Sequence, residues 1–184
     1  PSRRKLKKRK TSLDAIITVN TTLQRLRCFI FGHAQKPIKI RAKSHFSMLN
    51  IKQFTFNPFS ENTYLLYDDS HHAVIIDPGC YDRFEQAQLQ AYINQKALQP
   101  QALWLTHAHI DHVLGNKFIF DQYGLKPRFH QGELQLLHAV PAYAPQQGIN
   151  YQLSPEPEVF LPEFGTITFG NSTFDLLFCP GHSP

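Results

Sequence analysis

The clearest pattern in the chain is an alternation of apolar and polar residues in its first half. The segment Ile51–Phe56 alternates with a period of two, which is typical of a strand buried on one face. A second predicted strand covers Asn62–Tyr67, and the short apolar run Ala73–Ile76 predicts a third. Because Pro58 and the Asp-Pro-Gly sequence at 77–79 punctuate these runs, we predict a β-meander.

The period then changes to that of a helix. Residues 83–98 carry two adjacent rows of apolar side chains at helical spacing, namely Leu89-Ile93-Ala97 and Phe84-Ala87-Ala91. Gln99-Pro100 is predicted to end this helix, because a residue before proline disfavours helical backbone. The apolar run Ala102–Leu105 predicts another strand, so the unit is strand–helix–strand.

The remaining predicted elements are shorter. They are a helix at Val113–Tyr123, a strand at Arg128–His130, a short helix at Glu133–Ala139, and a hairpin of Ile167–Phe169 with Phe174–Phe178. Residues 141–163 are rich in Pro, Gln and Glu, and we predict that they run over the surface.

The net charge of +5 is divided unevenly along the chain. Residues 1–46 carry thirteen Lys or Arg and one acid, whereas the remainder carries six basic and thirteen acidic residues. Because the basic charge is confined to this leader, we do not predict nucleic-acid binding by the body. We predict that residues 1–47 are a disordered, transit-peptide-like extension or upstream sequence before a start at Met48. Residues 48–184 are predicted to form one domain.

Cysteine spacing and hydropathy bear on location. Cys28, Cys80 and Cys179 are far apart and odd in number, which favours a reducing compartment over a disulfide framework. We predict that Cys80 and Cys179 are small buried apolar side chains. No apolar run approaches the ~20 residues that cross a bilayer. A cytoplasmic protein without a membrane partner is therefore predicted.

The segment richest in chemistry is THAHIDHVLGN at 106–116, between a predicted strand and a predicted helix. Loops converge at such strand ends, where α/β proteins place ligands. Side chains two apart in an extended loop project to the same side, so His107 and His109 can converge on one ion. Asp111 and His112 can then face an adjacent position. Imidazole suits zinc, iron and manganese, and carboxylate suits harder ions, so this spacing predicts a metal site.

A second segment, FCPGHSP at 178–184, supplies the imidazole that the first lacks. Its Pro-Gly pair predicts a rigid turn that presents His182 at the end of a strand. A catalytic zinc keeps about three protein ligands and one open position, where bound water has a pKa near ~7. Two metals about 3.5–4 Å apart can share that hydroxide and the oxyanion.

THAHIDH followed by LGN, together with NTYLL, IDPG and CPGHSP, resembles the metallo-β-lactamase superfamily over residues 48–184. The match is closest to its glyoxalase II-like branch of small thioesterases. The resemblance implies an α/β (α+β, four-layer) αββα sandwich with the metals at one edge. It implies that His107, His109 and His182 hold a first metal and that Asp111 and His112 hold a second. Asp111 would also accept a proton from the nucleophilic water.

Other polar residues receive smaller roles. Asp77, in IDPG, is predicted to orient a ligand histidine by a hydrogen bond, and a purely turn-forming aspartate is the alternative. Asn62 and Thr106 are predicted to be structural hydrogen bonders. Four histidines are predicted to lie outside the site: His71, His72, His130 and His138.

The chain departs from the family at its C-terminal end. The family adds a bridging Asp and a further His beyond the position of Pro184, so the second half of the sandwich and the second metal position are predicted to be incomplete. We therefore predict a fragment or truncated product that is poorly folded or hydrolytically weak alone.

The predicted function is a metal-dependent hydrolase of thioesters such as S-2-hydroxyacylglutathione, acting through a metal-activated hydroxide. Zinc is the predicted cofactor, with two divalent ions in the full-length form and iron or manganese as alternatives. The predicted partner is a small-molecule thioester, and the oligomeric state is left open. The alternatives are a mononuclear iron persulfide dioxygenase of the same fold, an RNA-processing nuclease, or an inactive metal-binding product.

Overall fold

The computed structural model describes residues 16–20, 25–29 and 48–184. In chain order the elements are β1 (Ile16–Asn20), β2 (Arg25–Phe29), β3 (Asn50–Phe56), β4 (Glu61–Tyr67), β5 (His72–Ile76), α1 (Arg83–Gln95), β6 (Gln99–Trp104), α2 (Ile110–Val113), α3 (Asn116–Tyr123), β7 (Pro127–Arg128), α4 (Leu134–Tyr143), β8 (Phe164–Phe169) and β9 (Ser172–Leu177). Two 3-10 turns, Gln131–Glu133 and Ala144–Gln147, flank α4.

The predicted leader is described only in part. β1 and β2 pair antiparallel, with Ile16 opposite Phe29, a hairpin that the sequence pattern does not predict. The remainder of residues 1–47 lies outside the described residues, and so does the prediction of disorder there.

A five-stranded mixed sheet forms the centre of the body, in the order β3-β4-β5-β6-β7. β3, β4 and β5 are antiparallel neighbours, which confirms the predicted meander. β5 and β6 are parallel and joined through α1, which confirms the strand–helix–strand unit. Since the carboxyl ends of parallel strands meet at one edge, the residues that follow β5 and β6 are brought side by side.

The two faces of this sheet are covered differently. Alternate strand residues such as Leu65, Ile75 and Leu103 pack against buried side chains of the helices, including Leu89 and Val113. The opposite face is covered by the β8–β9 hairpin. Helices, main sheet and hairpin give three stacked layers among the described residues, and the predicted α/β class is confirmed.

Three aromatic rings join the hairpin to the sheet. Trp104, which is 6% exposed, meets the rings of Phe169 and Phe174 edge-on at centroid distances of 6.0 and 5.9 Å. Phe169 and Phe174 stack on each other at 5.4 Å. Such contacts contribute about 0.5–1.5 kcal/mol each beyond area burial, so this cluster is a main attachment of the hairpin.

A buried carboxylate adds a polar attachment at the hairpin turn. Asp68, 2% exposed, accepts hydrogen bonds from the Asn171 backbone N–H at 2.7 Å and from the Ser172 hydroxyl at 3.0 Å. Burial opposes ionisation of Asp68, but the hydrogen bonds from Ser70, Asn171 and Ser172 outweigh it and lower the pKa of this carboxyl. Asp68 therefore ties the β4–β5 turn to the β8–β9 turn.

Helix α1 is shorter than predicted. It begins at an Asp82–Glu85 capping box and ends at Gln95, because Ala97 adopts a left-handed φ of 52° before Gln99 and Pro100 enter β6. Phe84, assigned by the periodicity to an apolar row, is instead 81% exposed in the first turn.

The predicted helix at 113–123 starts later than predicted. Helix α3 begins at Asn116, and Val113 is instead the last residue of the short helix α2, with a turn at Leu114-Gly115 between the two. The cause is a tertiary contact. Gly115 donates its N–H to the Pro78 carbonyl at 2.7 Å. A side chain at 115 would place its Cβ 2.5 Å from the Cys80 sulfur, so the turn at 77–80 requires a glycine here.

The other boundaries shift by a few residues. The strand predicted at 128–130 is β7, followed by a single bridge between His130 and Leu161. Helix α4 runs past the predicted end to Tyr143 and includes Pro141, so the surface excursion starts later than residue 141. Among the described residues no helix is both long and apolar enough to cross a membrane.

Candidate metal centre

Three imidazoles converge at the carboxyl edge of the main sheet. His107 and His109 lie in the loop that links β6 to α2, and His182 lies beyond β9. One nitrogen from each ring lies within 4.8 Å of the other two. His109 Nδ1 and His182 Nε2 are 3.0 Å apart, and the three ring centroids lie 4.6–4.9 Å from one another.

Asp77 and Thr106 orient one of these rings. Asp77 follows β5, and its carboxylate accepts from the Thr106 backbone N–H at 2.7 Å and from the Thr106 hydroxyl at 2.6 Å. Thr106 Oγ1 also lies 2.9 Å from His107 Nδ1. A hydroxyl has one proton, and here it is given to Asp77, so the proton of this last bond belongs to His107 Nδ1.

The tautomer so fixed leaves the lone pair on His107 Nε2. That atom is buried and has no hydrogen-bond partner among the described residues. A buried polar atom without a partner is costly, and a divalent metal bound among the three neighbouring imidazole nitrogens would satisfy this lone pair. The donor set therefore fits a metal ion.

The pKa shifts of His107 and His109 favour the neutral imidazole, which is the form that binds a metal. Burial, and then the neighbouring His112, lower the pKa of His107 to about 3, against the opposing charge of Asp77. Burial, and then His182, lower the pKa of His109. Both rings are thus neutral near pH 7, the form in which imidazole binds metal.

Asp111 and His112 lie beside the three converging rings, in the first turn of α2. The His112 ring centroid is 4.1 Å from that of His107. Its Nε2 is 3.4 Å from Asp111 Oδ2, and its Nδ1 is 3.3 Å from Asp77 Oδ2. The structure thus brings the five predicted ligands together, with Asp77 touching both the Thr106–His107 pair and His112.

Two buried glutamates near the site were not identified from the sequence. Glu61, 3% exposed, accepts from the Thr63 hydroxyl at 2.8 Å, and its Oε1 lies 3.8 Å from His112 Nδ1. Burial, and then Asp77, raise the pKa of Glu61 to about 10, so this carboxyl is neutral at pH 7. Glu133, 2% exposed, accepts from the Ala108 backbone N–H.

The sequence held a signal for one of them. Glu61 has the same strand parity as Leu65, an apolar residue of the predicted strand, so strand alternation places its side chain on the same face of the sheet as Leu65. Glu133 has no comparable signal. Thr106, predicted to be a turn hydrogen bonder, does more than that because it connects Asp77 to His107.

Three further histidines, His71, His130 and His138, and the cysteines Cys80 and Cys179 lie outside the three converging rings. His71 is exposed with a left-handed φ of 60°, His130 Nδ1 accepts from the Gly132 N–H, and His138 contacts Glu156. Cys80 is fully buried, as predicted, whereas Cys179 is only half-buried.

Residues 56–184 match the model of the metallo-beta-lactamase superfamily. The chain therefore belongs to the metallo-β-lactamase superfamily, and membership implies divalent metal binding, which the imidazole cluster fits.

Two curated relatives bear on the branch. The chain is 29% identical over 135 residues to the probable metallo-hydrolase YqgX of Bacillus subtilis, covering 72% of this chain and 61% of that protein. It is 29% identical over 143 residues to the hydroxyacylglutathione hydrolase GloC of Haemophilus influenzae, covering 74% and 63%. The chain thus spans about three fifths of the length of these relatives.

Solved structures confirm the fold. The chain resembles the B3 metallo-beta-lactamase BLEG-1 with a TM-score of 0.63 and 30% identity, covering 73% of this chain and 64% of that one. It resembles TTHA1623, solved in a di-iron-bound form, with a TM-score of 0.54 and 29% identity, covering 67% and 65%.

Proposed function

We propose that this chain carries the metal-binding site of a hydrolase that cleaves thioesters such as S-2-hydroxyacylglutathione. The observation that carries the proposal is the buried His107 Nε2, which has no hydrogen-bond partner among the described residues, in a cluster where one nitrogen of each of three imidazoles lies within 4.8 Å of the other two. The similarity to a hydroxyacylglutathione hydrolase supports the thioester as substrate class.

In this proposal His107, His109 and His182 hold one metal, and Asp111 with His112 contributes to a second position. A bound divalent ion would supply a lowered pKa for a coordinated water and a polarised substrate carbonyl. Asp111, with 27% of its side chain exposed, faces the site beside His112 and is placed to accept the proton that the water loses.

Asp77 is proposed to act through other residues. Its carboxylate holds the Thr106 hydroxyl, which accepts from His107 Nδ1, and it also lies 3.3 Å from His112 Nδ1. One buried carboxylate thereby sets the orientation of one proposed ligand in each metal position.

Zinc is the proposed metal. Imidazole and carboxylate ligands also tolerate iron, and similarity to a protein solved in a di-iron-bound form supports iron as the second candidate. Location in the cytoplasm and a small-molecule thioester as partner remain parts of the same proposal.

The test is metal content and thioester hydrolysis measured on the purified chain, with His107→Ala and, as a matched control, His138→Ala. His138 is exposed and contacts Glu156 away from the cluster. We expect the unmodified chain and His138→Ala to bind zinc and to hydrolyse S-lactoylglutathione above background, and His107→Ala to lose both. Equal hydrolysis by His107→Ala would overturn the proposal. Iron-dependent oxygen uptake with a persulfide substrate would replace it by the dioxygenase alternative.

Thr106 gives a finer test of the orienting role. Thr106→Val removes the hydroxyl but keeps the shape, and Thr106→Ser keeps the hydroxyl. We expect the valine variant to weaken zinc affinity by about 10–100-fold and the serine variant to stay close to the unmodified chain. Equal affinities, measured by chelator competition, would remove Thr106 from the site.

A further inference from the structure

His182 reaches the site from a segment that has little structure of its own. Residues 178–184 follow β9 and form no helix or strand. His182 is exposed, and Gly181 before it adopts a φ of 145°, a conformation that L side chains rarely adopt. Because its Nε2 nevertheless lies 3.0 Å from His109 Nδ1, another contact must fix this segment against the body.

One buried carboxylate supplies that contact. Glu133, in the 3-10 turn before α4, accepts from the Ser183 hydroxyl at its Oε1, 2.5 Å away. Its Oε2 accepts from the Ala108 backbone N–H at 2.9 Å. Ala108 lies between His107 and His109, and Ser183 follows His182. The Glu133 side chain is therefore hydrogen-bonded to both segments that carry the proposed ligands.

The surroundings of Glu133 favour a fixed geometry. Its side chain is 2% exposed, and hydrogen bonds to a buried carboxylate are about twice as strong as neutral ones. The same turn packs on the C-terminal segment, since the rings of His130 and Phe178 lie 4.3 Å apart and Gly132 faces Pro184. Residues 178–184 therefore pack against the turn at 130–133.

We propose that Glu133 is a positioning residue that holds His182 in register with His107 and His109. The proposal deepens the proposed function and rests on the metal centre. It concerns a residue that touches none of the reacting atoms and acts only by joining two segments, 25 and 50 residues away in sequence.

The test compares zinc dissociation constants, measured by chelator competition on chains that melt cooperatively. We expect Glu133→Ala to bind zinc about 10–100-fold more weakly. Glu133→Gln should stay within a few-fold, because its amide oxygen can accept from Ala108 while its amide N–H donates to Ser183 Oγ. Glu156→Ala, a matched change at an exposed glutamate, should leave the affinity unchanged.

A second comparison separates positioning from general stability. If Glu133 acts by delivering His182, the double variant Glu133→Ala/His182→Ala should bind zinc no more weakly than His182→Ala alone. The absorption spectrum of bound Co²⁺ should change in the same way for Glu133→Ala and His182→Ala. Additive losses would overturn the proposal.

Ser183→Ala covers the case in which Glu133→Ala does not fold, since it removes one half of the same link from an exposed segment. We expect a smaller but measurable loss of affinity. Unmodified affinity in Ser183→Ala would overturn the positioning role while leaving the metal centre intact. Failure of the unmodified chain to bind zinc or cobalt would overturn both.

Discussion

The two segments that carry the proposed ligands are held in place in different ways. The segment with His107 and His109 extends directly from β6, which is hydrogen-bonded on both sides within the main sheet. The segment with His182 extends from β9. Within the part of the chain that the structure describes, β9 pairs with β8 alone, and this hairpin reaches the body through side chains. The first half of the site is thus built by backbone pairing, and the second is docked. Metal affinity should therefore depend strongly on contacts far from the metal.

The largest expected effect comes from removing the aromatic attachment of the hairpin. Trp104→Ala deletes the ring that meets Phe169 and Phe174, and truncating a buried aromatic residue costs about 3–5 kcal/mol. Urea unfolding should show this loss, and zinc affinity should fall with it because His182 is no longer delivered. Phe84→Ala, at an 81% exposed ring, should change the unfolding free energy by less than about 0.5 kcal/mol. Unchanged zinc affinity in a folded Trp104→Ala chain would show that docking is not needed.

A second prediction concerns the part of the site that is held by backbone pairing in the main sheet, and it uses a substitution at Gly79. A Cβ at this position would lie 2.0 Å from Glu61 Oε2 and 2.8 Å from the Asp111 carbonyl oxygen. Gly79→Ala is expected to cost about 1–3 kcal/mol through overpacking and to displace Asp111. Gly124→Ala is the control, because its Cβ meets nothing within 4 Å, although its φ of 69° brings strain of about 1–2 kcal/mol. We expect Gly79→Ala to weaken metal binding and Gly124→Ala to leave it unchanged; similar metal affinities would contradict the comparison.

The smallest effect concerns the polar attachment at Asp68. Its folded pKa lies below the unfolded value, so its contribution is present above the unfolded pKa of about 4 and is lost as pH falls through the folded pKa. Asp68→Asn keeps an oxygen that can accept but loses its charge, so it should lower the unfolding free energy by about 0.5–1.5 kcal/mol at pH 7. The difference from the unmodified chain should shrink below about pH 4.

Asp121→Asn serves as the control for charge removal. It breaks an exposed pair with Lys117 on α3, which is worth about 0.3–0.5 kcal/mol. A pH-independent difference for Asp68→Asn would mean that its ionised form does not hold the hairpin.

The sequence predicted most elements of the main sheet because their cause is local. A half-buried strand alternates along its own residues, and the ligand spacing in 107–112 is likewise contained within one loop. His182 could be predicted because its Pro-Gly turn is itself a local signal. The proposed first metal position was therefore visible in the sequence before any contact was known.

The features that were missed depend on distant partners. The helix predicted at 113–123 starts only at Asn116, because Gly115 contacts Pro78 and Cys80, and no pattern within the helix indicates those contacts. In the sequence Glu133 is an ordinary glutamate at the start of a predicted helix. Its hydrogen-bond partners Ala108 and Ser183 are 25 and 50 residues away, so no local pattern indicates them. Sequence periodicity indicates which face of an element is buried. It does not indicate which polar side chain forms hydrogen bonds to two segments that are distant in sequence.

The turn between β3 and β4 has a practical consequence for redesign. Asn57 anchors its base, donating from Nδ2 to the carbonyls of Gly79 and Asp111 at 3.0 and 2.9 Å. The next residues lead to Phe59, whose side chain is 43% exposed. A library that randomises 58 and 59 would vary exposed positions, while Asn57 and Ser60, which both have left-handed φ values of 54° and 59°, are retained to keep the turn. The surface next to the Asp111 backbone can therefore be changed without replacing any proposed ligand.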